Sequence, residues 1–372
     1  MNPFIYGTVV KGENFYDREE ECKRIVDTLG GGNNLVLYAP RRFGKTSLVF
    51  NAIDQLRKQG FTCIYFDFMP VFSPESFVRL YTKSLSSHQS NLQKFAKTFM
   101  TTVKNIRPLL SLSQEGRFEF SIEFADNNVD ETVVSQLLDL PEAIAGKNKR
   151  ILIFLDEFQE VEKLKEIRFE ELLRSKIQLQ EHVNYLFFGS KTHIMQAMFN
   201  NKKRPFYNAA SQMTIGYLPE KDTIDYLQHN FSKKEINISK EIAQYIISAT
   251  ANIPHYIQLL AAEIWQYVEK GSHITRDIVD KNVLRVLDMK SDYYMELFDR
   301  QSKSKKQLLL ALCSSGKNIF SEAYIKKHRL PTPATLQRAI SELTNNGITD
   351  KIDNEYFISD PFFKLFLKEK AL

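Results

Sequence analysis

The stretch from residue 30 to residue 60 constrains this chain more than any other. Gly30-Gly31-Gly32-Asn33-Asn34 leads into the apolar run Leu35-Val36-Leu37-Tyr38, which reads as a buried strand. Thr46 to Lys58 then has helical spacing, with Leu48, Val49, Ala52, Ile53 and Leu56 on one side and Gly60 as the stop signal. Phe61 to Asp67 is a second strand, so strand, helix and strand follow one another closely enough for a parallel βαβ unit.

Between the first strand and the helix lies Ala39-Pro40-Arg41-Arg42-Phe43-Gly44-Lys45-Thr46. It fits the phosphate-loop pattern Gly-x-x-x-x-Gly-Lys-Ser/Thr, with Ala39 at a first position that needs only a small side chain. Backbone N–H groups of such a loop and of the helix start point at phosphates. Gly44 lets the backbone turn without a Cβ clash. Lys45 reaches the β- and γ-phosphates, and Thr46 offers a hydroxyl to Mg²⁺. The candidate nucleotide contacts here are Ala39, Pro40, Arg41, Arg42, Phe43, Gly44, Lys45, Thr46 and Ser47. Three destinations stay open to Arg41 and Arg42: phosphates, a neighbouring subunit, or solvent.

A second acidic signal supports the first. Arg150-Ile151-Leu152-Ile153-Phe154-Leu155 is an apolar strand running into Asp156-Glu157. Asp156 at a strand's carboxyl end is placed to orient a Mg²⁺ shell through water. Glu157 is placed to polarise the attacking water as a general base. Asn184 to Ser190 is a fourth strand, and Ser190 at its end touches either a γ-phosphate, the water, or a loop backbone, with Lys191 and Thr192 as competitors. Asn148-Lys149 and Asn201-Lys202 lack the residues of a guanine reader, which leaves adenine as the better base.

The rest of the chain organises around these motifs. Ser73 to about Ile106 is mostly helical, 107–131 is less regular, Phe118 to Phe124 alternates like a half-buried strand, and Val133 to Ala145 is helical. Gln212 to Leu218 is a fifth core strand. Strand signals stop at Glu220, and 220–290 reads as a bundle of helices. Near the end, helices at Lys305–Cys313, Ser321–His328 and Pro333–Thr344 precede two short strands around the turn Asp353-Asn354-Glu355. This is the pattern of a winged helix-turn-helix. The expected domains are 1–219, 220–300 and 301–372. The fold class is α/β: a parallel P-loop sheet with a helical lid and a C-terminal winged helix.

Charge adds a hint about partners. Residues 301–372 hold 12 Lys+Arg against 7 Asp+Glu, so this stretch carries the whole formal excess of +5. A basic module on a neutral body suits DNA or another acidic partner, through residues 320–340, and equally a solvated basic surface. Thr332, Thr335, Gln337 and Arg338 lie on or near the candidate recognition helix, with Lys326, Lys327, His328 and Arg329 just before it. Three scattered cysteines, Cys22, Cys63 and Cys313, speak against a disulfide framework or a zinc site and for the reducing cytoplasm. No apolar run approaches the ~18 residues of a membrane span, and the first residues lack a signal peptide's pattern.

Together these stretches resemble the archaeal-type ATPases, a branch of the AAA+/STAND P-loop ATPases also found in bacteria. The similarity rests on Phe15-Tyr16-Asp17-Arg18-Glu19-Glu20-Glu21, the loop Ala39 to Leu48, Phe154-Leu155-Asp156-Glu157-Phe158-Gln159, Phe188-Gly189-Ser190, Asn252 to Gln258, and Tyr356-Phe357-Ile358-Ser359-Asp360-Pro361-Phe362-Phe363. The resemblance implies that Arg18 belongs to a leading motif beside the adenine, with Asp17 where glycine is usual. It implies that Pro254 and Tyr256 belong to a lid motif that senses the nucleotide, with Asn252 where glycine is common. Family members often carry an arginine in a Pro-Leu-Tyr-Gly-Arg pattern. Here Arg204-Pro205-Phe206-Tyr207-Asn208-Ala209 stands instead, so an arginine finger has no clear candidate and turnover is expected to be slow. The function implied is an Mg-ATP-driven switch coupled to DNA or a protein partner. The alternative is a nucleotide-binding scaffold with little or no hydrolysis, and a small-molecule kinase ranks below both.

Overall fold

The computed structural model describes residues 2–12, 15–89, 91–112, 118–124, 129–146, 149–352 and 354–370. Asn148 of the rejected guanine pattern and Asp353 of the wing turn lie outside the described residues. In chain order the first part runs α1 (Glu19–Gly30), β1 (Leu35–Tyr38), α2 (Lys45–Lys58), β2 (Thr62–Asp67), α3 (Pro74–Ser86), α4 (Leu92–Thr102), β3 (Ile106–Leu112), β4 (Phe118–Phe124), α5 (Glu131–Ala145), β5 (Ile151–Asp156), α6 (Phe169–Ile177), β6 (Val183–Gly189), α7 (Thr192–Asn200) and β7 (Ser211–Thr214). The second part runs α8 (Glu220–Ser232), α9 (Lys240–Ala249), α10 (Pro254–Tyr267), α11 (Arg276–Asp299), α12 (Lys303–Leu312), α13 (Glu322–His328), α14 (Pro333–Asn345), β8 (Thr349–Ile352), β9 (Glu355–Ile358) and α15 (Pro361–Lys370).

Five strands form one parallel sheet in the order β2-β5-β6-β1-β7. All residues of β1, β5 and β6 are buried, which is why these strands are apolar on both faces. Parallel pairing brings the strands' carboxyl ends to one edge: Tyr38 is level with Gly189 and Thr214, and Asp67 with Asp156. The chain order reverses at β1, and in open sheets the crevice beyond the carboxyl ends at such a point is where ligands bind.

Two strand boundaries differ from the sequence reading. Ile106–Leu112 pairs with β4 as an antiparallel hairpin; the continuous run Leu109-Leu110 hides its alternation. The fifth core strand stops at Thr214, with Ile215 N–H to Tyr38 O (2.8 Å) as its last ladder bond, before the sequence turns to Gly216 and Pro219.

The described chain divides into two compact units. One holds the sheet with its helices: Glu19–Ala39 and Leu48–Ile215. The other gathers the N-terminal stretch up to Arg18, the loop Pro40–Ser47, and everything from Gly216 onward. Its apolar core is continuous. Phe4, Phe43, Leu227, Tyr256, Leu260 and Tyr294 join Leu308, Leu336, Phe362 and Phe363 in one cluster, so α8–α11 and the winged helix are built on shared packing. Each such fully buried side chain contributes about 1.5–3 kcal/mol of burial. All three cysteines are buried free thiols. No described helix is long and apolar enough to cross a membrane.

Candidate nucleotide site

Within the sheet unit, the carboxyl ends of β5 and β6 bring together a carboxylate network. Asp156, nearly buried, accepts a 2.7 Å hydrogen bond from the Tyr65 hydroxyl at Oδ2 and the Glu157 N–H (2.8 Å) at Oδ1. Burial, and then the Asp156 charge, push the Tyr65 phenol far above its ordinary value, so Tyr65 stays a donor. Glu157 leaves the strand in the left-handed region, at φ 48. That conformation costs a non-glycine residue about 1 kcal/mol and redirects its side chain away from the strand. Oε2 of Glu157 accepts from the Ser190 hydroxyl (2.8 Å), the Ser190 N–H (3.2 Å) and the Gln159 amide nitrogen. The competitors of Ser190 are occupied differently: Lys191 pairs with Glu160 at 2.8 Å, and Thr192 opens α7.

Glu160 anchors this network. Burial alone would raise its carboxyl, but hydrogen bonds from Lys163 and Lys191 outweigh burial and hold it down at about 2. Arg204, the arginine nearest the expected finger position, is bonded to Glu162 (3.0 Å) and to Glu170. Its guanidinium is engaged within its own unit.

The phosphate loop belongs to the second unit from Pro40 onward. Gly44 sits at φ +81 with no atom within 4 Å of a built Cβ, so it answers to backbone handedness and leaves its outer side open. Lys45 is nearly buried at the first turn of α2, and Phe43 is buried against Tyr217 at 5.2 Å. Ser47 accepts the Val10 N–H at 3.0 Å. Arg18 is buried and donates to the Gly216 carbonyl. Pro254 opens α10 as its first residue.

Arg41 and Arg42 have destinations that sequence reading did not anticipate. The Arg42 guanidinium lies 4.8 Å from the Tyr256 ring centre and 3.4 Å from Asp360, while its carbonyl accepts the His255 N–H at 3.3 Å. Asp360 also accepts from the Tyr294 hydroxyl (3.0 Å), lies 3.7 Å from Lys290, and caps α15 through the Phe362 and Phe363 N–H groups. Burial, with Arg42 and Lys290 adding to it, lowers His255 to about 4, so its ring is neutral at pH 7. Arg41 covers Gly347, where a side chain would overlap its guanidinium. Its backbone N–H is bonded to Asp350 on β8. Burial pushes the Asp350 carboxyl up to about 6, against the opposing pull of Arg41. Nothing at sequence level ties residue 42 to residue 360, and the helix that Asp360 caps is not among the expected elements.

A family model for an ATPase domain predominantly from Archaea matches residues 15–188, and a model for a probable winged helix domain matches residues 292–369. Residues 15–188 thus carry an archaeal-type ATPase domain, and residues 292–369 a winged helix. Among solved structures, the Walker-type ATPase PABY2304 of Pyrococcus abyssi is similar to it at 17% identity and a TM-score of 0.65, with 98% of this chain and 99% of that one covered. The Aeropyrum pernix ORC2 protein, solved as ADPNP-ADP complexes, is similar at 12% identity and a TM-score of 0.52, with 97% of each chain covered. At these identities the likeness is one of fold. No curated protein matches the sequence. The ATPase assignment agrees with the parallel sheet, the phosphate loop after β1 and the winged helix of α12–α14 with β8 and β9.

The residues present fit the ligands of such an ATPase. Mg²⁺ in a phosphate loop is held by one hydroxyl, phosphate oxygens and water rather than by a protein cage. Of donors suited to that chemistry, the loop unit has the Thr46 hydroxyl at the start of α2, and the sheet unit, taken by itself, has the nearly buried Asp156 carboxylate at the end of β5.

Proposed function

We propose that this ATPase binds Mg-ATP, hydrolyses it slowly, and uses the cycle to change how its winged helix is held. The observation that carries the switch is the bonding of the two loop arginines to winged-helix aspartates, Arg41 to Asp350 and Arg42 to Asp360. A nucleotide phosphate and these carboxylates are anions that compete for the same loop. Ala39, Pro40, Arg41, Arg42, Phe43, Gly44, Lys45, Thr46 and Ser47 hold the phosphates, Arg18 supports the adenine side, and Pro254 and Tyr256 report the nucleotide state. The Tyr256 hydroxyl, buried without a hydrogen-bond partner, supports that last role. Thr46 and Asp156 would hold Mg²⁺, which would offset phosphate charge when bound. Glu157 takes a proton from water as the water oxygen bonds the γ-phosphorus and the bond from that phosphorus to the β–γ bridging oxygen breaks, with ADP leaving and phosphate formed; Ser190 steadies the Glu157 carboxylate.

Residues 1–219 act as the ATPase domain, 220–300 as the lid and 301–372 as the winged helix. The partner proposed for the winged helix is duplex DNA, contacted through 320–340. Lys326, Lys327, Arg329, Thr332, Thr335, Gln337 and Arg338 are exposed there. A second reading, a nucleotide-gated regulator with little turnover, is favoured by the engagement of Arg204 with Glu162 and Glu170. ATP turnover by wild type and Glu157→Gln separates the two. Loss of turnover with binding retained supports hydrolysis; a wild type that keeps ATP intact over hours supports the regulator.

A further inference from the structure

We propose that Gln159 is a positioning residue for Glu157, with its amide wedged against Gly189 so that the Glu157 carboxylate has one orientation. The inference rests on Glu157 being the general base. Gln159 is 2% exposed, and its Nε2 faces two carboxylates, donating to Glu157 Oε2 and to Glu160 Oε1 (3.3 Å). Carboxylates accept and do not donate, so only the nitrogen fits there and the amide cannot be reversed. Oε1 therefore points the other way, buried without a partner. It rests against the backbone of Gly189, where a Cβ would land on it. Glu160 is itself held from the far side by Lys163 (2.7 Å) and Lys191 (2.8 Å). Gln159 is thus clamped between a fixed ion cluster and a glycine, and presents one N–H to Glu157. A glutamine that served only packing would not keep a buried oxygen unpaired when an apolar side chain of equal size fills the same volume.

A base must be held close to its attack geometry, and displacement by about 1 Å costs roughly 100-fold. Gln159→Met keeps the volume and removes both the donor and the unpaired oxygen. The expected result, read by steady-state ATP turnover in the full-length protein, is a fall in kcat of roughly 10–100-fold with KM for ATP and the melting temperature essentially unchanged. Because Gln159 acts through Glu157, the same change in a Glu157→Gln background should lower the residual rate less than about twofold. Unchanged kcat in Gln159→Met, or an equal loss in both backgrounds, overturns the proposal. Full turnover in Glu157→Gln alone overturns the base assignment instead, and a wild type without turnover overturns both. Should Gln159→Met fail to fold, Gly189→Ala displaces the amide from the other side. The same kcat loss at constant KM supports the proposal, and unchanged kcat overturns it.

Discussion

Asp350 offers the sharpest test of how the winged helix is held. Its carboxyl is raised from 3.8 to about 6, chiefly by burial. At about 1.36 kcal/mol per unit, the ionised side chain costs the folded state up to about 3 kcal/mol. The sign follows from proton binding. Between pH 4 and 6 the folded state holds this proton and the unfolded chain does not, so stability falls as pH rises through that window. Above the folded value the cost is fully present. Asp350→Asn removes the charge and keeps an oxygen for the Lys351 N–H, bonded at 2.8 Å. It forfeits one of the two acceptor oxygens, and with it the bond from the Arg41 N–H, and the attraction to the exposed Arg41 side chain, together about 1–2 kcal/mol. A net gain of roughly 1–2 kcal/mol is expected at pH 7.5, a rise of about 2–5 °C in Tm, shrinking by about half at pH 5. Calorimetry of both proteins at the two pH values measures it. A variant no more stable at pH 7.5, or a gain equal at both, refutes the reasoning. That wild type tolerates such a cost fits a carboxylate kept for its bond to the phosphate loop.

Other outcomes follow from the same geometry. Lys45→Ala should weaken ATP binding by about 100-fold or more in calorimetric titration, since its charge-assisted phosphate bonds vanish; affinity within a few fold of wild type would sink the loop assignment. Asp360→Ala should destabilise in urea by about 1 kcal/mol more than Asp360→Asn, because the amide still caps α15; equal losses would show that the cap carries little. Replacing Lys326, Lys327 and Arg338 together by Ala should weaken duplex binding and flatten its salt dependence by about 0.9 for each phosphate no longer neutralised, whereas an unaltered slope removes the DNA role of this face. Point variants suit this assay better than a cut at residue 300, because the winged helix shares its core with α8–α11.

Much of the scaffold was legible because local chemistry specifies it. Runs such as Ile151–Leu155 have one reading when followed by Asp-Glu, and Ser73 and Ser321 announced helix starts that the structure caps. Even the departures from the family pattern make sense: Asp17 and Asn252, standing where glycine is usual, lie at φ 58 and φ 54. Asp and Asn are the side chains that best tolerate that region. The site's second layer was not legible. Tyr65 meets Asp156 and Arg42 meets Asp360 across 91 and 318 positions, and no local rule pairs them. Gln159 stands two residues from Glu157, yet its role depends on a left-handed turn at Glu157 that glutamate does not advertise.

The way the chain threads its two units bears on how it is made. The Phe4 ring lies tilted against Phe231 at 4.7 Å and edge-on to Trp265 at 6.0 Å, and the Asn2 amide donates to the Ala262 carbonyl. These partners are more than 200 positions downstream, so at about 5–20 residues per second the first residues leave the ribosome roughly 10–50 s before their binding surface exists. Nascent chains must carry that aromatic end uncovered while the sheet is already being synthesised. Phe4 reaches its native surroundings only after Phe231 and Trp265 have been made, so this corner of the core closes late in synthesis.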